Sequence, residues 1–200
     1  MRKLLVTAFL TLDGVHQAPG GPEEDPSDGF QYGGWMVDYW DDTVSQRMDE
    51  TMGRPFDLVL GRKTYDIFAG FWPNAPEEAG GKPLNDATKY VASRGRPTLE
   101  WRNSQLIEGD VVEGIAALKA QDGPELQVHG SANLVQTLMR NGLVDEYQLF
   151  VFPVIAGSGR RLFADGAVPS GLKLLNAVVA PKGGVIGNYA PAGELRTGSF

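Results

Sequence analysis

Twice along this chain an apolar run ends at a glycine and passes at once into a helical pattern, and this limits the fold more than any other feature. Leu58, Val59 and Leu60 lead into Gly61, followed by Arg62, Lys63, Thr64 and Tyr65. Leu126 to His129 lead into Gly130, followed by Ser131, Ala132 and Asn133. A strand that feeds a helix, repeated along a chain, is the pattern of an α/β fold with a mostly parallel sheet. Strands are expected at residues 3–10, 57–60, 90–93, 104–108, 126–129 and 145–154. Helices are expected at 38–52, 63–69, 111–120 and 132–141, where apolar residues recur at helical spacing. Segments 172–180 and 184–190 read as a closing antiparallel hairpin through Lys182, Gly183 and Gly184. Residues 17–35 and 72–83 collect glycine, proline and acids and read as loops. The whole forms one domain over residues 1–190, with a polar tail at 191–200. The long apolar strand 145–154 is placed near the sheet edge, where exposed edges are usually covered.

A chain of 200 residues suits one domain with a sizeable core. It contains no cysteine. That excludes a disulfide framework, thiolate metal ligands and a cysteine nucleophile, and fits a reducing, cytoplasmic setting. The two histidines, His16 and His129, are far apart in sequence, so no metal site is expected. The start has two cations and an apolar run, like a signal peptide. The run ends at Asp13 and Gly14 without a small-residue cleavage site, and reads better as a buried strand. No stretch approaches the roughly 20 apolar residues of a membrane span. The net charge of −7 is uneven: residues 13–50 hold ten acidic side chains and one basic one, Arg47. An acidic chain without a basic stripe is a poor nucleic-acid binder. No P-loop, no Gly-x-Gly-x-x-Gly and no Gly-x-Ser-x-Gly elbow is present.

The junctions carry the chemistry. A strand that runs through glycine into a helix turns backbone N–H groups toward an anion, and the helix dipole adds to the attraction. A third junction, Ala92, Ser93, Arg94, Gly95 and Arg96, adds a hydroxyl and two guanidinium groups. Taken singly, each junction is a tight turn or a helix cap. Two phosphate-sized junctions and an arginine pair in one small domain point to a dinucleotide.

Together these segments resemble the dihydrofolate reductase family. Gly61, Arg62, Lys63, Thr64 and Tyr65 look like its Gly-Arg-x-Thr signature, and Val91 to Arg94 look like its strand ending in Ser-Arg. Thr11 to Gly14, Gly130 to Leu134, Leu143 to Glu146 and Pro153 to Phe163 resemble the reductase domain of the riboflavin-biosynthesis deaminase-reductase group. The resemblance spans residues 3 to about 190. It implies a dihydrofolate reductase-like three-layer fold and NADPH as cofactor. Gly61, Arg62, Lys63 and Thr64 would meet the pyrophosphate or the adenosine phosphate. Ser93 and Arg94 would face the ribose 2′-phosphate. Gly130, Ser131, Ala132 and Asn133 would cover the pyrophosphate from the other side, and Ala8 and the backbone near Val15 would line the nicotinamide. The substrate would be a small planar heterocycle, pterin- or pyrimidine-like, as in 5-amino-6-(5-phosphoribosylamino)uracil reductase or dihydrofolate reductase. A homodimer is also implied.

The proton donor is open at this level. Asp13 and Asp38 are candidates, and Asp41, Asp42, Asp49 and Glu50 share their region. Trp35 and Tyr39 are candidates for stacking on the substrate, or for packing on the core. The acidic stretch 13–50 is assigned to the substrate side, with glycines 20, 21, 33 and 34 as hinges of a lid. A nucleotide-binding or regulatory module without turnover is the alternative function.

Overall fold

The structure is a computed structural model that describes residues 1–76 and 79–199. Parts of the expected loop at 72–83 therefore lie outside the described residues. Eight strands form one sheet: β1 (Leu4–Thr11), β2 (Phe56–Gly61), β3 (Lys89–Ala92), β4 (Ser104–Leu106), β5 (Glu125–His129), β6 (Glu146–Phe152), β7 (Ser170–Val179) and β8 (Val185–Glu194). Their order is β4-β3-β2-β5-β1-β6-β8-β7. The first six run parallel, and β8 pairs antiparallel with both β6 and β7. The carboxyl ends of β1, β2, β3 and β5 thus lie on one side, where open α/β sheets bind ligands.

Among the described residues five α-helices accompany the sheet: α1 (Asp42–Met52), α2 (Arg62–Phe71), α3 (Lys82–Asp86), α4 (Val111–Ala120) and α5 (Ala132–Arg140). They form two layers around the sheet. Leu4, Val6, Leu126 and Val128 of the sheet pack against Ile115 of α4 and Val135 and Leu138 of α5. On the other face, Leu58 and Leu60 pack with Tyr65 of α2 and Leu84 of α3, while Phe150 packs with Val44 of α1. The alternation along each strand sorts the two sets, since successive side chains point to opposite faces.

Three expectations shift. The helix foreseen from residue 38 begins at Asp42, because the Asp41 side chain accepts from Val44 N and caps it; residues Val37–Tyr39 form a separate 3-10 turn. The hairpin runs on to Glu194, four residues into the expected tail. The strand expected at 145–154 is not near an edge: β6 lies between β1 and β8. The apolar edge is β7, whose Leu172, Leu174, Leu175 and Val179 are exposed.

Candidate functional site

A cleft of about 1580 Å³ opens over the carboxyl ends of the central strands. Its floor holds Thr7, Ala8 and Phe9 of β1, Gly61 of β2, Ala92 of β3 and His129 of β5. One wall is the loop from His16 to Asp25 with Met36. The opposite wall is α2, from Arg62 to Phe71, continuing to Trp72. The far end carries Ser93, Arg94 and Gly95 beside Gly109 to Val111.

The two glycine junctions meet here and are tied together. Ser131 Oγ accepts from Gly61 N at 3.0 Å, and Ser131 N donates to Thr64 Oγ1 at 3.2 Å. Gly130 and Ser131 both have left-handed backbone, at φ 58° and 55°. Glycine takes that conformation at little cost, whereas for serine it is uncommon and must be held by its surroundings. The two cross-links do that, and they set the amino ends of α2 and α5 side by side. Asn133 and Ala132 line the same space. At the far end Arg94 makes no ion pair among the described residues, whereas Arg96 pairs with Glu108 and Arg62 with Asp66.

The loop facing these junctions is pinned rather than hinged. Gln17 is buried; its Nε2 donates to the carbonyls of Asp25 and Ser27, and its Oε1 accepts from Arg160 N. Gly33 sits where a Cβ would lie 2.5 Å from the Gly21 carbonyl, so its glycine serves a close backbone approach and not a hinge. The charge separation inferred from sequence also closes on itself. Asp25 takes Lys63 Nζ at 2.9 Å and the Arg160 guanidinium, and Arg160 reaches Asp28 at 2.7 Å. Lys63 is therefore bonded to the acidic loop from its place in the cleft wall.

The catalytic and stacking candidates do not assemble. Asp13 lies outside the cleft. It accepts from Thr11 Oγ1 at 2.6 Å, Ala156 N at 3.1 Å and Gly157 N at 2.9 Å. These bonds, the Thr11 hydroxyl foremost, hold its pKa down to about 2. A carboxylate so fixed is a clip between β1 and the 156–157 loop, and it cannot serve as an acid at neutral pH. Asp38 is exposed on the 3-10 turn beside Lys182, away from the cleft. Trp35 packs edge-on to Phe152 and donates Nε1–H to Gln17 O, and Tyr39 packs in the same cluster. Both are half-buried and pack against the core, and Val15 is fully buried, so that its neighbours His16 to Ala18 line the cleft instead.

Four groups in the cleft were not singled out as site residues from the sequence. Glu24 lies in the wall with Oε2 accepting from Gly20 N at 2.7 Å, and burial raises its pKa. His16 has a buried Nε2 without a partner among the described residues. Burial, aided by Arg160 and Lys63, lowers its pKa to about 4. Thr7 and His129 sit in the floor. Only an acidic residue in a loop, a polar residue in a central strand or a histidine before Gly130 could have hinted at these, and none of those carries a pattern. Among the described residues no His, Cys, Asp or Glu cluster could hold a metal, and no helix is long and apolar enough to cross a membrane.

Comparison with known proteins agrees with the fold and narrows the family. The chain is 28% identical over 185 residues to the uncharacterized protein YyaP of Bacillus subtilis (strain 168), covering 88% of this chain and 87% of that protein. A protein assigned to riboflavin biosynthesis from Shewanella sp. PV-4 superposes with a TM-score of 0.74 at 20% identity, over 95% of this chain and 99% of that one. Dihydrofolate reductase from Enterococcus faecalis, solved in complex with NADP(H) and RAB-propyl, superposes with a TM-score of 0.57 at 17% identity, over 94% and 96%. The sequence profile described as the RibD C-terminal domain matches residues 2–185, and the chain belongs to that family.

Proposed function

We propose that this protein is an NADPH-dependent reductase of a small planar heterocycle. The observation that carries the reading is the joined pair of glycine junctions, with Arg94, which has no ion pair among the described residues, at the far end of the same cleft. Backbone N–H groups and two helix amino ends suit a pyrophosphate, and Arg94 with Ser93 suits a ribose 2′-phosphate. The nicotinamide then lies over Ala8, and the substrate lies between Glu24 and the α2 wall. NADPH would supply the hydride; this chain's residues position the reactants and exclude water. Lys63 stays with Asp25 and the Gly61 N–H with Ser131 Oγ, so the Thr64 hydroxyl and the amino ends of α2 and α5 carry the pyrophosphate contacts. Fluorescence titration tests the cofactor. Arg94→Ala should weaken NADPH binding about 10- to 100-fold, the loss of a charge-assisted contact, and leave NADH binding nearly unchanged. Equal affinity of the native protein for the two cofactors would remove the basis of the assignment.

Glu24 takes the role first sought at Asp13 and Asp38. Its burial favours the protonated form, which an acid needs if it is to pass a proton to a reduced C=N or C=O group. Glu24→Gln should lower turnover about 100-fold with little change in NADPH affinity. The native rate should fall as pH rises through the raised Glu24 pKa, and the variant should lack that limb. A rate that keeps its pH profile in the variant would return the proton to solvent.

The protein is also proposed to be a homodimer. The β7 strand pairs with β8 on one side only and presents Leu172, Leu174, Leu175 and Val179 to solvent, a long apolar edge of the kind that proteins cover. Light scattering should give a dimer, and Leu174→Lys with Leu175→Lys should yield monomer. A native monomer at micromolar concentration would rule this out.

A further inference from the structure

Three polar side chains stand side by side across the middle of the sheet face that α1 covers. Thr7 of β1 is in register with Gln148 of β6 on one side and with His129 of β5 on the other. In a parallel sheet, partners in register point to the same face. Their neighbours on that face are the apolar Phe9, Leu58, Leu60 and Phe150 and the polar Gln127. Polar groups in such a place require partners. Gln148 has one: its Oε1 accepts from Thr51 Oγ1 of α1 at 2.9 Å. Thr7 Oγ1 is buried and has none among the described residues. Both Thr7 and His129 line the cleft floor.

The tautomer of His129 follows from its other neighbour. Gln127 Nε2 donates to Thr51 O and Glu125 Oε1, each at 3.1 Å. Its Oε1 is therefore the atom that faces His129 Nε2, at 3.0 Å. An amide oxygen only accepts, so Nε2 carries the hydrogen. Burial holds the imidazole neutral, with a pKa lowered to about 4. Nδ1 is then a bare acceptor, and it makes no hydrogen bond among the described residues. The floor thus presents an acceptor and, one strand away, a hydroxyl free to donate. Neighbouring strands lie about 4.8 Å apart, a gap that a ring N–H and its adjacent carbonyl can bridge with two hydrogen bonds.

We propose that His129 Nδ1 and Thr7 Oγ1 form the subsite that reads the lactam edge of the substrate. The ring N–H donates to Nδ1, and the neighbouring C=O accepts from the threonine hydroxyl. This deepens the reductase reading and rests on it for the second reactant. It names the group on the heterocycle that the protein selects. Gln127 is the positioning residue that fixes the tautomer.

With only two histidines in the chain, long-range ¹H–¹⁵N spectra resolve both imidazoles of the native protein. At pH 7 His129 should be the neutral Nε2–H form. Uracil and pterin at millimolar concentration should move its Nδ1 resonance and leave that of His16 in place. 1,3-Dimethyluracil and 3-methylpterin, which lack the lactam N–H, should not move it. Thr7→Val should weaken uracil and pterin about tenfold while NADPH affinity, measured separately by fluorescence, is kept. If that variant does not fold, the native spectra decide alone. An Nδ1–H tautomer, no movement with either lactam, or equal movement with the methylated analogues overturns the subsite. Lactam-specific movement in a protein that fails to bind NADPH would uphold the subsite and overturn the cofactor assignment.

Discussion

Unfolded in urea at pH 7 and again at pH 4.5, the protein should lose about 5 kcal/mol of stability through His16 and His129 alone. Both imidazoles are lowered from 6.5 to about 4, chiefly by burial. The unfolded chain therefore takes up protons below pH 6.5 that the folded chain refuses until about pH 4. Between these values the unfolded state binds more protons, so stability rises with pH and falls on acidification. Linkage gives about 2.5 kcal/mol per histidine by pH 4.5. Asp13, held at about 2, keeps its charge in both states across most of this range and starts to contribute only as pH falls below its ordinary value. The double variant His16→Gln with His129→Gln should lose most of this pH dependence while still unfolding cooperatively. Denaturation midpoints that move equally in native protein and double variant would place the acid sensitivity elsewhere.

Replacing Lys89 should cost nearly as much, although it lies far from the cleft. Lys89 is fully buried in β3, and its ammonium donates to the carbonyls of Asn85, Ala87 and Arg102 at 2.8, 2.9 and 3.1 Å. It also stands 4.2 Å from the centre of the Trp101 ring. Burial lowers its pKa to about 8, which leaves it charged at neutral pH. Lys89→Met keeps the apolar stem and removes the donors. The carbonyls of Ala87 and Arg102 then lose their side-chain partner, while Asn85 O keeps the Arg102 and Asn103 side chains. Two stranded carbonyls and a lost cation–π contact amount to about 3–5 kcal/mol. Urea denaturation measures it. A loss under 1 kcal/mol would mean that water replaces the ammonium.

Sequence periodicity by itself determined the mostly parallel sheet, its helices and the closing hairpin. These follow from local rules: alternation sorts strand faces, and a glycine ends β2 and β5 where the backbone must turn. The junctions at Gly61, Gly130 and Ser93-Arg94 were legible for the same reason, since strand, turn and helix are contiguous in the chain. What the tertiary structure decided involves partners far apart. Strand order put β6 inside the sheet and left β7 as the edge, and no local pattern encodes which strand lies beside which. Asp13 reads as an available acid until the amides of Ala156 and Gly157 close on it from the other end of the chain. Lys63 reads as a phosphate ligand until Asp25 neutralises it. Thr7, Gln148 and His129 look like unrelated polar residues until register sets them in one row, because the energy that makes them a site, the cost of a buried group without a partner, exists only once the chain is folded.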